Sequence, residues 1–287
     1  MILYFLNLWP VNLILHLFFA VTYNQFYKIS IKDNYRDGSS TVLLQIICAL
    51  SLLFLVPFFP WKYSQDPKVY ALLFLAFIFY AINDRVQTTA RSGLPTSEFA
   101  IILQLSKVFL VVVGWLVFHD LFVWNRIIGA TLIFIGVFAL LFNRGQFSLN
   151  KSAVLALLGT LAMSIGMSID IGLISQFNMP FYLALSVLIP SIFIASLERI
   201  PWHHVKRELI KGQKRYYLAT GISWAGAMFF LYRAFVTGQV SVVSPLSTLN
   251  ILFNVVIAYF YLGERDHLWK KIFISLLIIL GVCAISC

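Results

Sequence analysis

Residues 96–141 recur as residues 240–287, and such a duplication restricts the chain to folds in which two like helical bodies pack on one another. At an offset of 144, Leu105, Phe109, Val111 and Val112 fall on the identical Leu249, Phe253, Val255 and Val256. At 145, Trp124, Gly136 and Val137 fall on Trp269, Gly281 and Val282, so one position is gained or lost in the turn between two helices. Each copy reads as a pair of apolar helices joined by a charged turn, His119-Asp120 in the first and Glu264-Arg265-Asp266 in the second.

Composition then names the solvent. With 61% hydrophobic and 11% charged residues, the chain lies far from a soluble domain, in which about a quarter of residues are charged. A helix needs roughly 20 apolar residues to cross the hydrocarbon, so the chain predicts an all-α polytopic membrane protein of about ten spans. They fall near residues 3–27, 41–60, 68–91, 96–118, 122–143, 152–175, 180–198, 216–237, 240–262 and 267–286. A linker at 143–151 divides them into two five-helix repeats, 1–143 and 151–287. Five is odd, so the second repeat enters the membrane from the opposite side, and the repeats are inverted. The first helix begins at Ile2, with no basic residue before it and no cleavage pattern after Ala20, which reads as a retained span.

Charge gives a direction. Connections after odd-numbered spans hold sixteen Lys and Arg, counting Arg85 and Arg91 at the end of the third span, whereas those after even-numbered spans hold Lys62, Lys68 and Arg126. The positive-inside rule places the odd connections in the cytoplasm and both termini outside. One connection is long: residues 198–215 read as a short basic helix lying on lipid headgroups, begun by Pro201 and anchored by Trp202. Anionic lipid accounts for the net charge of +10 without nucleic acid. Cys48, Cys283 and Cys287 suit neither a zinc site nor a disulfide framework and read as packing residues.

Ionisable groups inside a span cost several kcal/mol and mark cavities or partners. In the third span Tyr80, Asn83, Asp84, Gln87, Thr88 and Arg91 recur at helical spacing and form one polar stripe on an apolar helix. Lys107 lies too deep in the fourth span to snorkel easily, with Gln104 one turn before it. Its ammonium can bind an anionic substrate group, lose its proton readily and so couple transport to protonation, or form a structural pair with Asp84, Glu98 or Asp170. Arg233 and Tyr232 sit in the eighth span, where Trp224 adds an aromatic wall. Ser247, Asn250 and Asn254 share a face of the ninth, and can bind a ligand or lock helices together. Asn12, His16 and Tyr23 do the same on the first, and Asp170 stands with Ser164 and Ser168 on the sixth. Glycines 159, 166, 172, 221 and 226 permit close helix approach.

The repeat, the Leu262-Gly263-Glu264-Arg265 turn and the run from Val243-Ser244-Pro245 through Asn254 to Tyr259–Arg265 resemble the EamA-type family of the drug/metabolite transporter superfamily. The resemblance implies ten helices in two inverted bundles around a central cavity, lined by helices 1, 3, 4, 6, 8 and 9, with helices 5 and 10 outlying. It also implies cytoplasmic termini, opposite to the charge count. His119-Asp120 departs from the family's Gly-Glu pair.

The expected activity is secondary-active transport of a small polar or charged metabolite by alternating access, driven by a gradient or by exchange. Lys107, Gln104, Arg233, Tyr232, Trp224, Asn250, Asn254, Tyr80, Asn83 and Asp84 are the expected substrate-binding residues, with Asp84 and Asp170 for coupling or charge balance. The alternatives are translocation of a lipid-linked sugar or amphipathic compound and, from a different class, a membrane-embedded lipid-modifying enzyme. An enzyme needs converging acids or a nucleophile with its base, and the acids here stand singly on separate helices. No cofactor, metal or nucleotide loop stands out. The expected partners are the bilayer and a small molecule, a homodimer is compatible with both, and the expected location is a bacterial inner membrane.

Overall fold

The computed structural model describes residues 8–32, 34–117, 123–143, 146–147, 150–170 and 173–286, so the His119-Asp120 turn, Gly172 and Cys287 lie outside the described residues. The first half contains α1 (Trp9–Ser30), α2 (Asp37–Leu53), α3 (Pro67–Gly93), α4 (Thr96–Ile102), α5 (Leu105–Val117) and α6 (Trp124–Leu141). The second contains α7 (Lys151–Asp170), α8 (Met179–Leu197), the short α9 (Trp202–Lys211), α10 (Lys214–Thr237), α11 (Val240–Ser247), α12 (Asn250–Ile257) and α13 (Leu268–Ser286). Between the halves Phe142–Asn143 pairs antiparallel with Gln146–Phe147. Proline at the first turn starts α1, α3 and α8, where a missing N–H costs nothing. Asp66 and Asn178 cap α3 and α8 by accepting from the Lys68 and Phe181 backbone N–H at 2.9 and 3.0 Å.

Eight helices among the described residues are long and apolar enough to cross a membrane. The two long helices outside that set, α1 and α10, carry the polar residues Asn12, His16, Asn24 and Gln25, and Arg233. They pack against each other. The polar face of α1 is thereby covered by protein, while Ile14 and Phe18 face outward.

Two differences from the sequence reading matter. The fourth and ninth spans each run as one apolar helix, over Thr96–Val113 and Val242–Leu262, but their regular α bonding is interrupted between Ile102 and Leu105 and between Ser247 and Asn250. Tighter bonds close both breaks: Lys107 N–H donates to Gln104 O and Ile251 N–H to Thr248 O, at 3.1 and 3.0 Å. In the ninth span Pro245, inside α11, supplies no N–H to the helix ladder. The second difference concerns the shift of offset from 144 to 145. The backbone widens into a π turn over Ala258–Leu262, and such a turn takes up one residue more than an α turn. That is the length by which the second copy exceeds the first, and the corresponding turn of the first copy lies outside the described residues.

Several helix pairs of one half recur when the halves are exchanged. α1 meets α10 as α7 meets α3, α2 meets α10 as α8 meets α3, and α5 meets α7 as α12 meets α1. α6 lies on α13 and α2 on α8. Where α6 crosses α13, a Cβ at Gly281 would stand 2.7 Å from the Gly129 carbonyl oxygen, so only glycine permits the approach. Ile133, Ile274, Ile278 and Val282 fill the core around that crossing, while Phe134, Phe273 and Leu280 point outward, as lipid-facing side chains do. Gly159 and Gly166 are pressed against α3, and Gly221 and Gly226 against Ile47 and Phe19, so the expected close approaches are present.

Candidate functional site

α3 runs unbroken to Gly93, so the polar stripe lies inside a helix and not on an exposed connection. Asn83, Gln87, Thr88 and Arg91 are buried, Arg91 to 3% exposure. The Asp84 carboxylate accepts from the Gln45 and Asn83 amides, both at 2.8 Å, and the Asn83 oxygen accepts from Gln87. One turn on, the Thr88 hydroxyl meets those of Tyr27 and Thr41 at 2.7 and 2.6 Å. Arg91 donates to Asn24 Oδ1 at 2.9 Å. Its guanidinium lies 5.0, 4.6 and 4.0 Å from the ring centres of Tyr23, Tyr27 and Phe99. Three aromatic faces thus stabilise a cation that the bilayer could not. Arg91 and Arg85, counted in the sequence among connection charges, are therefore intrahelical.

A second neighbourhood surrounds Asp170 at the end of α7. It is 3% exposed. Tyr80 donates to its Oδ2 at 2.5 Å and Tyr182 donates to its Oδ1. Tyr232 stands within electrostatic reach. Tyr80 and Asp84 are one turn apart on α3, so one helix face presents the first neighbourhood and a partner for the second.

The third neighbourhood is that of Lys107. The half-buried ammonium donates to Gln104 Oε1, whose amide donates in turn to the Ala100 carbonyl, and His16, which bonds the Ala227 carbonyl at 2.9 Å, lies in its field. The expected acidic partners are occupied elsewhere: Asp84 by amides, Asp170 by phenols, and Glu98 by Lys271 at 3.4 Å. Of the remaining expected residues, Arg233 lies over the Phe59 ring at 5.6 Å and Trp224 tilts against Tyr23 at 5.6 Å. Asn250 is half-buried at the start of α12. Asn254, fully buried, accepts the Gln25 amide at 3.0 Å, which locks α12 to α1. The expected residues therefore do not meet at one point: Asn83 and Asp84, Tyr80 and Tyr232 with Asp170, and Gln104 with Lys107 form three neighbourhoods, while Arg233, Asn250 and Asn254 lie apart from them.

The same face that holds Arg91 is cross-tied. Lys28 donates to the Arg91, Ser92 and Leu94 carbonyls at 2.6, 3.0 and 2.7 Å, closing the end of α3. Glu198 receives both Arg85 and Arg36. Glu208 on α9 accepts the Tyr35 and Arg36 backbone N–H at 2.9 and 3.0 Å. Burial raises the Glu208 carboxyl above the ordinary carboxylate range, against these hydrogen bonds. Sequence reasoning missed Tyr182, Gln45, Asn24 and Gln25 as partners. Asn24, Gln25 and Lys28 together at one end of a span are a signal that could have been read. A tyrosine such as Tyr182 gives none.

Among the described residues, no three His, Cys, Asp or Glu side chains lie close enough to hold a metal ion. Apolar spanning helices around buried polar clusters define a multi-pass membrane protein of the transporter class. The EamA-like transporter family model matches residues 7–142 and 150–287, and the chain belongs to that family. A solved structure titled only "Crystal structure of protein" matches at a TM-score of 0.50 and 13% identity, over 94% of this chain and 96% of that one, a likeness of fold alone. No curated protein matches the chain.

Proposed function

We propose that the chain is a secondary-active carrier of a small polar or charged metabolite, with ten spans in two inverted repeats that rock about their shared interface. The observation that carries this reading is where the buried polar groups meet. Gln25 with Asn254, Tyr80 with Asp170 and His16 with the Ala227 carbonyl all join one half to the other. Polar groups inside hydrocarbon face a cavity or a partner, and carriers built from two repeats place their binding site where the repeats meet. The helix pairs that recur in both halves and the similar interruptions of α bonding in the fourth and ninth spans support the repeat.

In this reading Lys107 and Arg233 attract an anionic or zwitterionic part of the substrate, while Gln104 and Asn250 orient it. Trp224, Tyr232 and Tyr80 supply walls. Asn83 and Asn254 act through their bonds to Asp84 and Gln25, and Asp84 or Asp170 balances charge. The basic face bearing α9 lies toward the cytoplasm of a bacterial inner membrane. Even without Arg85, Arg91 and Lys271, thirteen basic residues stand against three.

The test begins with the melting temperature of the purified protein against a metabolite library, since a ligand bound to the folded state raises it by mass action. Flux of the hit into proteoliposomes is then measured for Lys107→Ala and Arg233→Ala. Losses of roughly tenfold or more in both are expected, the equivalent of one buried charge contact. Wild-type flux in both variants removes the residue assignment. A wild-type protein that neither binds nor moves any library compound removes the carrier reading.

A further inference from the structure

Asp170 differs from Asp84 in the kind of partner it has. Each carboxylate oxygen of Asp170 accepts a phenol, Tyr80 on Oδ2 and Tyr182 on Oδ1, whereas Asp84 accepts amide N–H groups from Gln45 and Asn83. An amide nitrogen only donates, so it suits the carboxylate form. A phenol oxygen donates and accepts, so it can serve the carboxylic acid as well. Among the described residues no Lys or Arg forms an ion pair with Asp170, while Asp84 lies in the field of Arg91. The groups around Asp170 are the phenols of Tyr80 on α3, Tyr182 on α8 and Tyr232 on α10. α5 also packs on α7 and meets it through the Ser106 carbonyl, which accepts from Ser164 at 3.2 Å. α4 meets the other end of α7, where Ile101 and Ile102 share a core with Ala153 and Ala156.

The position matters as much as the partners. Tyr80 belongs to the first half, whereas Asp170 and Tyr182 belong to the second, so the carboxyl joins the two bodies. The ring of Tyr80 is seated on Gly166, where a Cβ would approach its Cε1 to 2.9 Å. The hydroxyl is thereby held on Asp170 by packing and not by chance rotation.

We propose that Asp170 is a proton-binding site that couples this protein to a proton gradient, with Tyr80 as the positioning residue that relays its state across the halves. This rests on the carrier reading. In the deprotonated state both phenols donate to the carboxylate and tie α3 to α7 and α8. A hydronium ion gives its proton to Oδ2, leaving water, and the new O–H donates to the Tyr80 oxygen while Oδ1 still accepts from Tyr182. The Tyr80 O–H keeps its proton but no longer donates to the carboxyl, the charge-assisted tie across the halves becomes a weaker neutral one, and α3 is freed to move.

The experiment uses the full chain in lipid nanodiscs without substrate. Infrared difference spectra between acidic and alkaline buffer report buried carboxylic acid, and hydrogen–deuterium exchange reports the protection of α3 around Tyr80. In the wild type, acidification brings in a buried carboxylic-acid band and loosens α3. In a Glu208→Gln background, where the α9 carboxyl no longer contributes to the band, Asp170→Asn abolishes both and Asp84→Asn abolishes neither. Tyr80→Phe, which keeps the seated ring, retains the band but uncouples α3 exchange from pH. The proposal is overturned if the wild type shows no such band, if in the Glu208→Gln background Asp84→Asn removes it or Asp170→Asn keeps it, or if α3 exchange ignores pH in the wild type. Neither readout needs flux, so failure of transport would remove the carrier reading and leave this titration standing, and the reverse.

Discussion

The Glu264 carboxylate caps the helix that begins at Thr96. It accepts the Thr96 N–H at 2.5 Å and the Ser97 N–H at 3.0 Å, and also the Ser97 hydroxyl. The residue sits in the turn after Gly263, whose φ of 71° closes the preceding helix in the left-handed conformation. A turn of the second half therefore satisfies the orphan donors of α4 in the first, and the carboxylate faces the positive end of that helix.

Replacing Glu264 by Ala leaves those N–H groups without an acceptor, with an expected loss of about 1–3 kcal/mol. Glu264→Gln keeps one acceptor oxygen and is expected to lose less. Thermal unfolding of the purified protein in detergent checks the order, and equal melting temperatures for Glu264→Ala and wild type would refute the cap.

Arg91 is held by three rings and one amide oxygen, contacts worth about 0.5–2 kcal/mol each. Lysine keeps the charge but not the planar stack. Arg91→Lys should therefore melt below the wild type, and Arg91→Ala lower still because the rings lose their filler. A lysine variant as stable as the wild type would show that charge alone matters there.

At the crossing of α6 and α13, Gly281→Ala places a Cβ against the Gly129 carbonyl oxygen. Overpacking of a tight contact costs about 1–3 kcal/mol, so the variant should melt earlier, with the loss of exchange protection concentrated on α6 and α13. Uniform loss over the chain would place the cause elsewhere.

Glu208 gives a pH dependence with a definite sign. Its carboxyl is raised in the folded protein by burial, so the folded state holds the proton more tightly than the unfolded one. Its ionisation therefore opposes docking of α9: stability contributed by the protonated form is full below the ordinary carboxylate range and is lost as pH rises through the raised value. Exchange protection of α9 should increase on acidification from neutral pH, and Glu208→Gln should flatten that response. An α9 whose protection is independent of pH in the wild type would contradict it.

Several features were legible in the chain because they depend on local chemistry. Apolar runs must be helices where lipid offers backbone groups no partner, and the 144-residue recurrence implied two like halves. The stripe from Tyr80 to Arg91 was visible because a helix repeats its faces at fixed spacing. Other features required the packed halves. Nothing in the spacing of Tyr182 marks it as a partner of Asp170, twelve positions earlier, and Gln25 lies 229 positions from Asn254. The turn that caps Thr96 comes from 168 positions away, and the expected pairs of Lys107 were settled by which helix faces meet. Sequence by itself determined the solvent, the helices and their duplication, since each follows from neighbours along the chain. Only tertiary structure decided which buried polar groups satisfy one another, because that depends on which faces two rigid bodies turn together.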